Sequence, residues 1–212
     1  MITSEEIKAR LWNGANELRG SMDASRYKDY MLGLMFYKFL SDQTLRTFAT
    51  TAGISNEEDW FAEYKNAHNE YGTELEKMTQ DILGYFVRPK HLYQTWVQDM
   101  NAGTFEVQEV TESLNQFERS IAVTNDSDDF KGLFSSSTLD LTDTALGSNL
   151  NERSNNIQAL IRLFEDNEEL VPGHLSADMD FDIAFNAWQE NRQMNRIDEF
   201  ATEWGLEITK SL

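Results

Sequence analysis

The chain contains no cysteine, which excludes disulfides, thiolate metal sites and cysteine nucleophiles. Its 212 residues include only two prolines, Pro89 and Pro172, so long helices can run unbroken over most of the sequence. Long hydrophobic runs are also missing. The most apolar stretch, Met31 to Leu40, includes Lys38 and is far shorter than the ~20 residues a membrane span needs. Met1 to Arg10 shows no apolar signal region. These features predict a soluble, cytoplasmic protein with no membrane partner. Phosphate cradles are equally scarce. No two of the eleven glycines stand as Gly-x-Gly, and there is no P-loop. A dinucleotide or methyl-donor site normally sets a glycine-rich turn between a strand and a helix, and no segment has that form. The three histidines, His68, His91 and His174, lack the spacing of a metalloprotease helix.

What the sequence does have is apolar and aromatic material. It is 40% hydrophobic and 12% aromatic, with five Trp and thirteen Phe, enough for a packed core. The net charge of −19 is unevenly placed. Residues 1–50 carry seven basic and six acidic side chains, so residues 51–212 carry −20. Such a surface repels nucleic-acid phosphates at long range. Any DNA contact is therefore expected from the first fifty residues or through a partner. The simpler role of the acid is to keep the protein in solution.

Apolar spacing predicts a series of helices. Thr3-Ser4-Glu5-Glu6 fits a capping box, and Ile7, Leu11, Ala15 and Leu18 follow at helical spacing up to Gly20. Asp23 or Ser25 can cap a second helix from Tyr27 to Leu40, apolar around nearly its whole circumference, as in the centre of a bundle. Ser55-Asn56-Glu57-Glu58 is a further capping-box match. It precedes an aromatic stripe of Trp60, Phe61, Tyr64, His68 and Tyr71, which Gly72 ends. Another helix is expected over about 75–83, an extended connection over 84–89, and a helix bearing Leu92, Tyr93, Trp96, Val97 and Met100. Val107, Val110, Leu114, Phe117 and Ile121 mark the cleanest amphipathic helix. Asn125 to Thr144 reads as a long surface loop, and Asn151 to Phe164 as a helix. One or two short helices are expected over about 181–212. The predicted fold is mainly α, a multi-helix bundle-like domain with long loops and little or no sheet.

Candidate chemistry is sparse. Asp126, Asp128 and Asp129, and likewise Asp178, Asp180 and Asp182, resemble the start of a calcium loop. The second set has Ile183 where the turn glycine belongs and Gln189 where the bidentate glutamate belongs, so solvated acid is the ordinary reading. No nucleophile-elbow motif is present. Arg19, Arg26 and Lys28 flank the turn between the first two helices, where basic side chains could hold DNA phosphates or simply end a helix in solvent. Together with Lys38 they are the candidate DNA or partner contacts. No catalytic, cofactor-binding or metal-ligating residue is assigned.

The run from Leu11 to Asp42 resembles the opening of the modification subunits of type I restriction–modification systems. It holds Trp12, then Leu18-Arg19-Gly20, Tyr27-Lys28, and a helix with the pattern Leu32-x-x-x-Phe36-x-Lys38-x-Leu40-Ser41-Asp42. Gly84 to Pro89, Phe117-Glu118-Arg119-Ser120, Gly132-Leu133-Phe134, Leu146-Gly147-Ser148 and Asn151-Glu152-Arg153 are similar to later family segments. The resemblance implies a helical domain that precedes an S-adenosylmethionine-dependent adenine methyltransferase domain and helps clamp the assembly around DNA. It implies as partners a specificity subunit, a second modification subunit and a restriction subunit. Methylating a base inside a duplex requires flipping it out, and the family's flipped-adenine motif begins Asn-Pro. No Asn-Pro pair occurs here, and no glycine-rich donor motif, so no catalytic or cofactor residue is carried over. Residues 1–170 are expected to form the helical domain, and 171–212 an extension or linker toward an absent catalytic domain. A shortened chain, a natural truncation and a stand-alone relative all fit this pattern. Two other roles fit the composition: an acidic DNA mimic or other protein-interaction module, and an independent small-molecule enzyme.

Overall fold

The computed structural model describes residues 24–123, 132–134 and 139–165. The expected first helix (Thr3 to Gly20), both calcium-like aspartate groups and the 181–212 helices lie outside the described residues. The longest element, α1, covers Ala24–Ala52. The expectation of an end near Leu40 is corrected: the helix runs three turns further. The threonines in the added turns bond back to the preceding turn. Thr44 Oγ1 donates to the Leu40 carbonyl at 3.0 Å and Thr51 Oγ1 to the Thr47 carbonyl at 2.8 Å, which satisfies their hydroxyls without breaking the helix. Leu40, Thr44 and Phe48, one turn apart, all face the interior.

After α1, Gly53 takes a positive φ of 71° and the chain enters a short 3-10 turn, Glu57–Asp59. The expected capping box at Ser55 does not start an α-helix. Asn56 stands before the 3-10 turn and its side-chain amide donates to the Asp59 carboxylate at 2.9 Å, so α2 begins only at Trp60 and runs to Tyr71. Of the aromatic stripe, only Tyr64 is fully buried, and Tyr71 is 52% exposed. Gly72 ends α2 as expected, and α3 follows over Thr73–Leu83. A 3-10 turn at Pro89–His91 leads into α4, Tyr93–Ala102, and α5 covers Val107–Ser120. The helix α6 covers Leu150–Glu165. Among the described residues there are six α-helices and no strand. None of these helices is long and apolar enough to cross a membrane.

The chain falls into two compact units. One comprises residues 36–134. Its core is aromatic: Tyr37 stacks on Trp96 with centroids 4.7 Å apart, and Phe117 and Phe134 meet edge-on at 5.5 Å. Among the described residues the extended segment 84–88 has no sheet partner, and helix side chains satisfy much of its backbone. The Phe86 N–H donates to Ser120 Oγ, the Arg88 N–H to Gln116 Oε1, and Gln116 Nε2 donates to the Phe86 carbonyl. The expected surface loop is also corrected here. Leu133 and Phe134 are buried, and the Glu118 carboxylate accepts the N–H groups of Gly132 and Phe134.

The other unit comprises residues 1–35 and 135–212. Its described core joins the first turns of α1 to α6 through the connection that precedes α6. Leu139, Leu141 and Leu146 of that connection are buried, and the first two fall within the expected surface loop, whose apolar residues turn inward instead. Tyr30 donates to the Asp140 carbonyl at 2.8 Å, and Asn156 Nδ2 to the Leu146 carbonyl at 2.6 Å. At Gly147 the backbone passes so close to α6 that a Cβ would lie 2.8 Å from the Arg153 nitrogen. The start of α6 is held reciprocally. The Asn149 side chain accepts the Glu152 N–H, and the Glu152 carboxylate accepts from the Ser148 N–H and hydroxyl.

Candidate functional site

Of the four candidate contact residues, Lys38 is described with its surroundings. Its Nζ lies 3.0 Å from Asp42 Oδ2, one turn along α1, and 5.1 Å from the centre of the Tyr93 ring. The other Asp42 oxygen accepts from Gln94 Nε2 at 2.6 Å, and Ser41 Oγ accepts the Tyr93 N–H at 3.1 Å. This polar face of α1 therefore grips the start of α4, and a phosphate approaching Lys38 competes with Asp42. Arg26 and Lys28 lie in the first turns of α1, but their side chains, like Arg19, are outside the described residues.

A second polar centre forms around Glu76, which sequence reading did not single out. Its carboxylate accepts from Arg88 Nε at 2.7 Å and pairs with His68 Nε2 at 2.9 Å. The three residues come from α2, α3 and the segment after α3, so no local spacing brings them together. Burial pushes the Glu76 carboxyl up, but the hydrogen bonds from Arg88 and His68, with their charges, outweigh it and hold the group below the ordinary carboxylate range. The Arg88 guanidinium also lies over the Phe86 ring at 5.7 Å. This centre ties α2, α3 and the extended segment together.

The third centre is buried. Ser113 Oγ donates to the Glu109 carbonyl at 2.6 Å. Its one proton is thereby used, so Trp96 Nε1 at 3.1 Å and His91 Nδ1 at 3.2 Å act as donors to it. Burial, then the positive charges of Lys90, Arg88 and Arg119, push the His91 imidazole down to about 4. It is neutral at pH 7. This Ser–His pair is no nucleophile: Ser113 is fully buried and its proton points at a backbone carbonyl. Among the described residues no group of three or more His, Asp or Glu could hold a metal ion. The described glycines with positive φ close helices and turns, and none follows a strand, so they do not fit a methyl-donor cradle.

The model of the family described as the HsdM N-terminal domain matches residues 7–164. The chain belongs to this family. As an HsdM N-terminal domain it is 25% identical over 162 residues to the type I restriction enzyme MpnII methylase subunit of Mycoplasma pneumoniae, covering 73% of this chain and 29% of that protein. It is also similar to the crystal structure of the type I restriction-modification system methyltransferase subunit from Streptococcus thermophilus. The TM-score there is 0.65 at 28% identity, over 77% of this chain and 34% of the other. The chain thus spans about a third of the length of the relatives it matches. The Gly84–Pro89 and Leu146-Gly147-Ser148 segments of this HsdM N-terminal domain are places where backbone packs tightly against a helix.

Proposed function

We propose that this chain is the interaction and DNA-clamping part of a type I adenine-specific modification subunit, without methyl transfer of its own. The observation that carries the reading is the family match over residues 7–164, on a scaffold of helices whose polar centres serve packing. S-adenosylmethionine and the flipped adenine belong, in this reading, to a separate catalytic domain. The partners are a specificity subunit, a second modification subunit, a restriction subunit and DNA. The charge distribution supports a division of labour. Residues 51–212, at −20, face other proteins, while Arg19, Arg26, Lys28 and Lys38 supply phosphate contacts from the near-neutral first fifty residues.

The test uses the chain within a complete modification subunit bound to its specificity subunit. Reversing Arg26 and Lys28 together (R26E with K28E) should weaken DNA binding several-fold at low salt. It should also lower the slope of log affinity against log salt by about 2. An unchanged slope removes these residues from the DNA contact. Calorimetric titration of the isolated chain with S-adenosylmethionine should give no heat of binding, and micromolar binding overturns the non-catalytic reading.

A further inference from the structure

An open apolar groove of about 320 Å3 lies where the end of α1 meets the α2–α3 hairpin. Phe48 and Leu75 form its buried floor, Ala52 and Ala67 give it depth, and Tyr71 and Met78 line it. Small residues on two helices leave the hollow, because neither side chain reaches across. Its apolar surface continues beyond the hollow. Leu75, Met78 and Ile82 stand three and then four residues apart on α3, one stripe about 10 Å long. Ile82 is 55% exposed and Tyr71 52% exposed, among the few large apolar side chains that face solvent in the described residues. Burial of such a stripe is worth far more to a partner than to this chain in isolation.

The surroundings of the groove define the sign of its occupant. Residues 53–83 carry eight carboxylates and only two lysines. Glu74 lines the groove itself. Lys65 lies over the Phe61 ring at 5.0 Å. Of the eight acids, Glu76 is already paired with Arg88 and His68. The same charge disfavours a symmetric contact with a second copy, which would set this acidic face against itself. It disfavours nucleic acid for the same reason. An open stripe two turns long matches the i, i+3 or i+4, i+7 face of a helix. We infer that the groove seats the apolar face of a basic amphipathic helix from a partner protein, with Tyr71, Met78 and Ile82 meeting its apolar side chains and Glu74 its lysines or arginines.

Three synthetic peptides of about 18 residues test this by fluorescence anisotropy. The first carries Leu on one helical face and Lys elsewhere, the second replaces Lys by Glu, and the third keeps Lys but replaces Leu by Ser. The first should bind with a micromolar Kd, at least about tenfold tighter than either control. Ala67→Phe, which fills the hollow, and Tyr71→Ser, which removes an exposed wall, should each weaken that binding about tenfold, and Glu74→Lys several-fold. Circular-dichroism melts check folding, and the half-exposed position of Tyr71 keeps one variant informative if Ala67→Phe does not fold. Equal binding of the first and third peptides reduces the effect to charge attraction and overturns the proposal. So does an affinity unmoved by Tyr71→Ser. Sedimentation showing self-association that Tyr71→Ser abolishes would assign the groove to a second copy and overturn it as well.

Discussion

The Tyr37 hydroxyl donates to the His91 carbonyl oxygen at 2.8 Å, joining positions 54 residues apart in the sequence. Both groups are buried, and the same Tyr37 ring stacks on Trp96. The bond fixes the 3-10 turn at Pro89–His91 against α1. Tyr37→Phe keeps the ring and removes only the donor, leaving a buried carbonyl unsatisfied. A loss of about 1–3 kcal/mol is expected in urea unfolding, with an unchanged m-value. A loss below ~0.5 kcal/mol would mean that water reaches the His91 carbonyl.

The buried imidazole of His91 makes stability depend on pH. Its folded-state pKa of about 4 lies below the ordinary 6.5, so the unfolded chain takes up a proton in that window and the folded chain does not. Stability therefore falls as pH drops from about 6.5 to about 4, and this contribution stops changing below that. The expected size is on the order of 2 kcal/mol. His91→Gln should be less stable at pH 7 but show a flatter profile across the same window. Parallel slopes for the two proteins would remove His91 as the source.

At Gly147 an added methyl group would lie 2.8 Å from the Arg153 nitrogen and 2.9 Å from Glu152 Cβ, both on α6. The backbone must move to admit it. Gly147→Ala is expected to cost about 2–3 kcal/mol and to lower the thermal midpoint by several degrees. Ser148→Ala loses the exposed hydroxyl bond to Glu152 and the long 3.5 Å contact from Asn149 Nδ2, keeps the Ser148 N–H bond to Glu152, and should cost less than about 1 kcal/mol. If the two variants melt alike, close packing at Gly147 is not what constrains this segment.

Glu76 joins His68 and Arg88 with its side chain only 10% exposed. Glu76→Gln keeps the shape but removes the charge, with an expected cost of about 1–2 kcal/mol at pH 7. Its carboxyl is held below the ordinary range, so its contribution is present above the ordinary carboxylate pKa and is lost as pH falls through the lowered folded value. In a double-mutant cycle, Glu76→Gln with Arg88→Met should cost less than the sum of the single changes. Additive costs would show that the two side chains do not interact in solution.

Much of the helical layout was legible in the one-dimensional pattern. Val107, Val110, Leu114 and Phe117 recur every three or four residues and are all buried on α5. Gly72 stops a helix in the sequence pattern where its positive φ does so in space. Reading failed where polar residues take part in packing. The second helix was expected only to Leu40 but continues to Ala52, with Thr44 and Thr51 bonding back to their own helix. The Ser/Thr/Asp-rich stretch Asn125 to Thr144 suggests solvent, yet Leu133, Phe134, Leu139 and Leu141 within it are buried and the Glu118 carboxylate accepts two of its N–H groups. The Glu76 centre was not legible at all, because its members are 8 and 12 residues from Glu76 and belong to different elements.

The sequence by itself determined the helical class, most helix positions, the absence of thiol chemistry and the uneven charge, because periodicity, composition and formal charge are local properties of the chain. The tertiary structure alone decided which polar groups are satisfied inside, how the unpaired segment 84–88 is held, and where two alanines on separate helices leave an apolar hollow beside carboxylates. These are distances between residues far apart along the chain. Such distances are set by how whole helix faces pack.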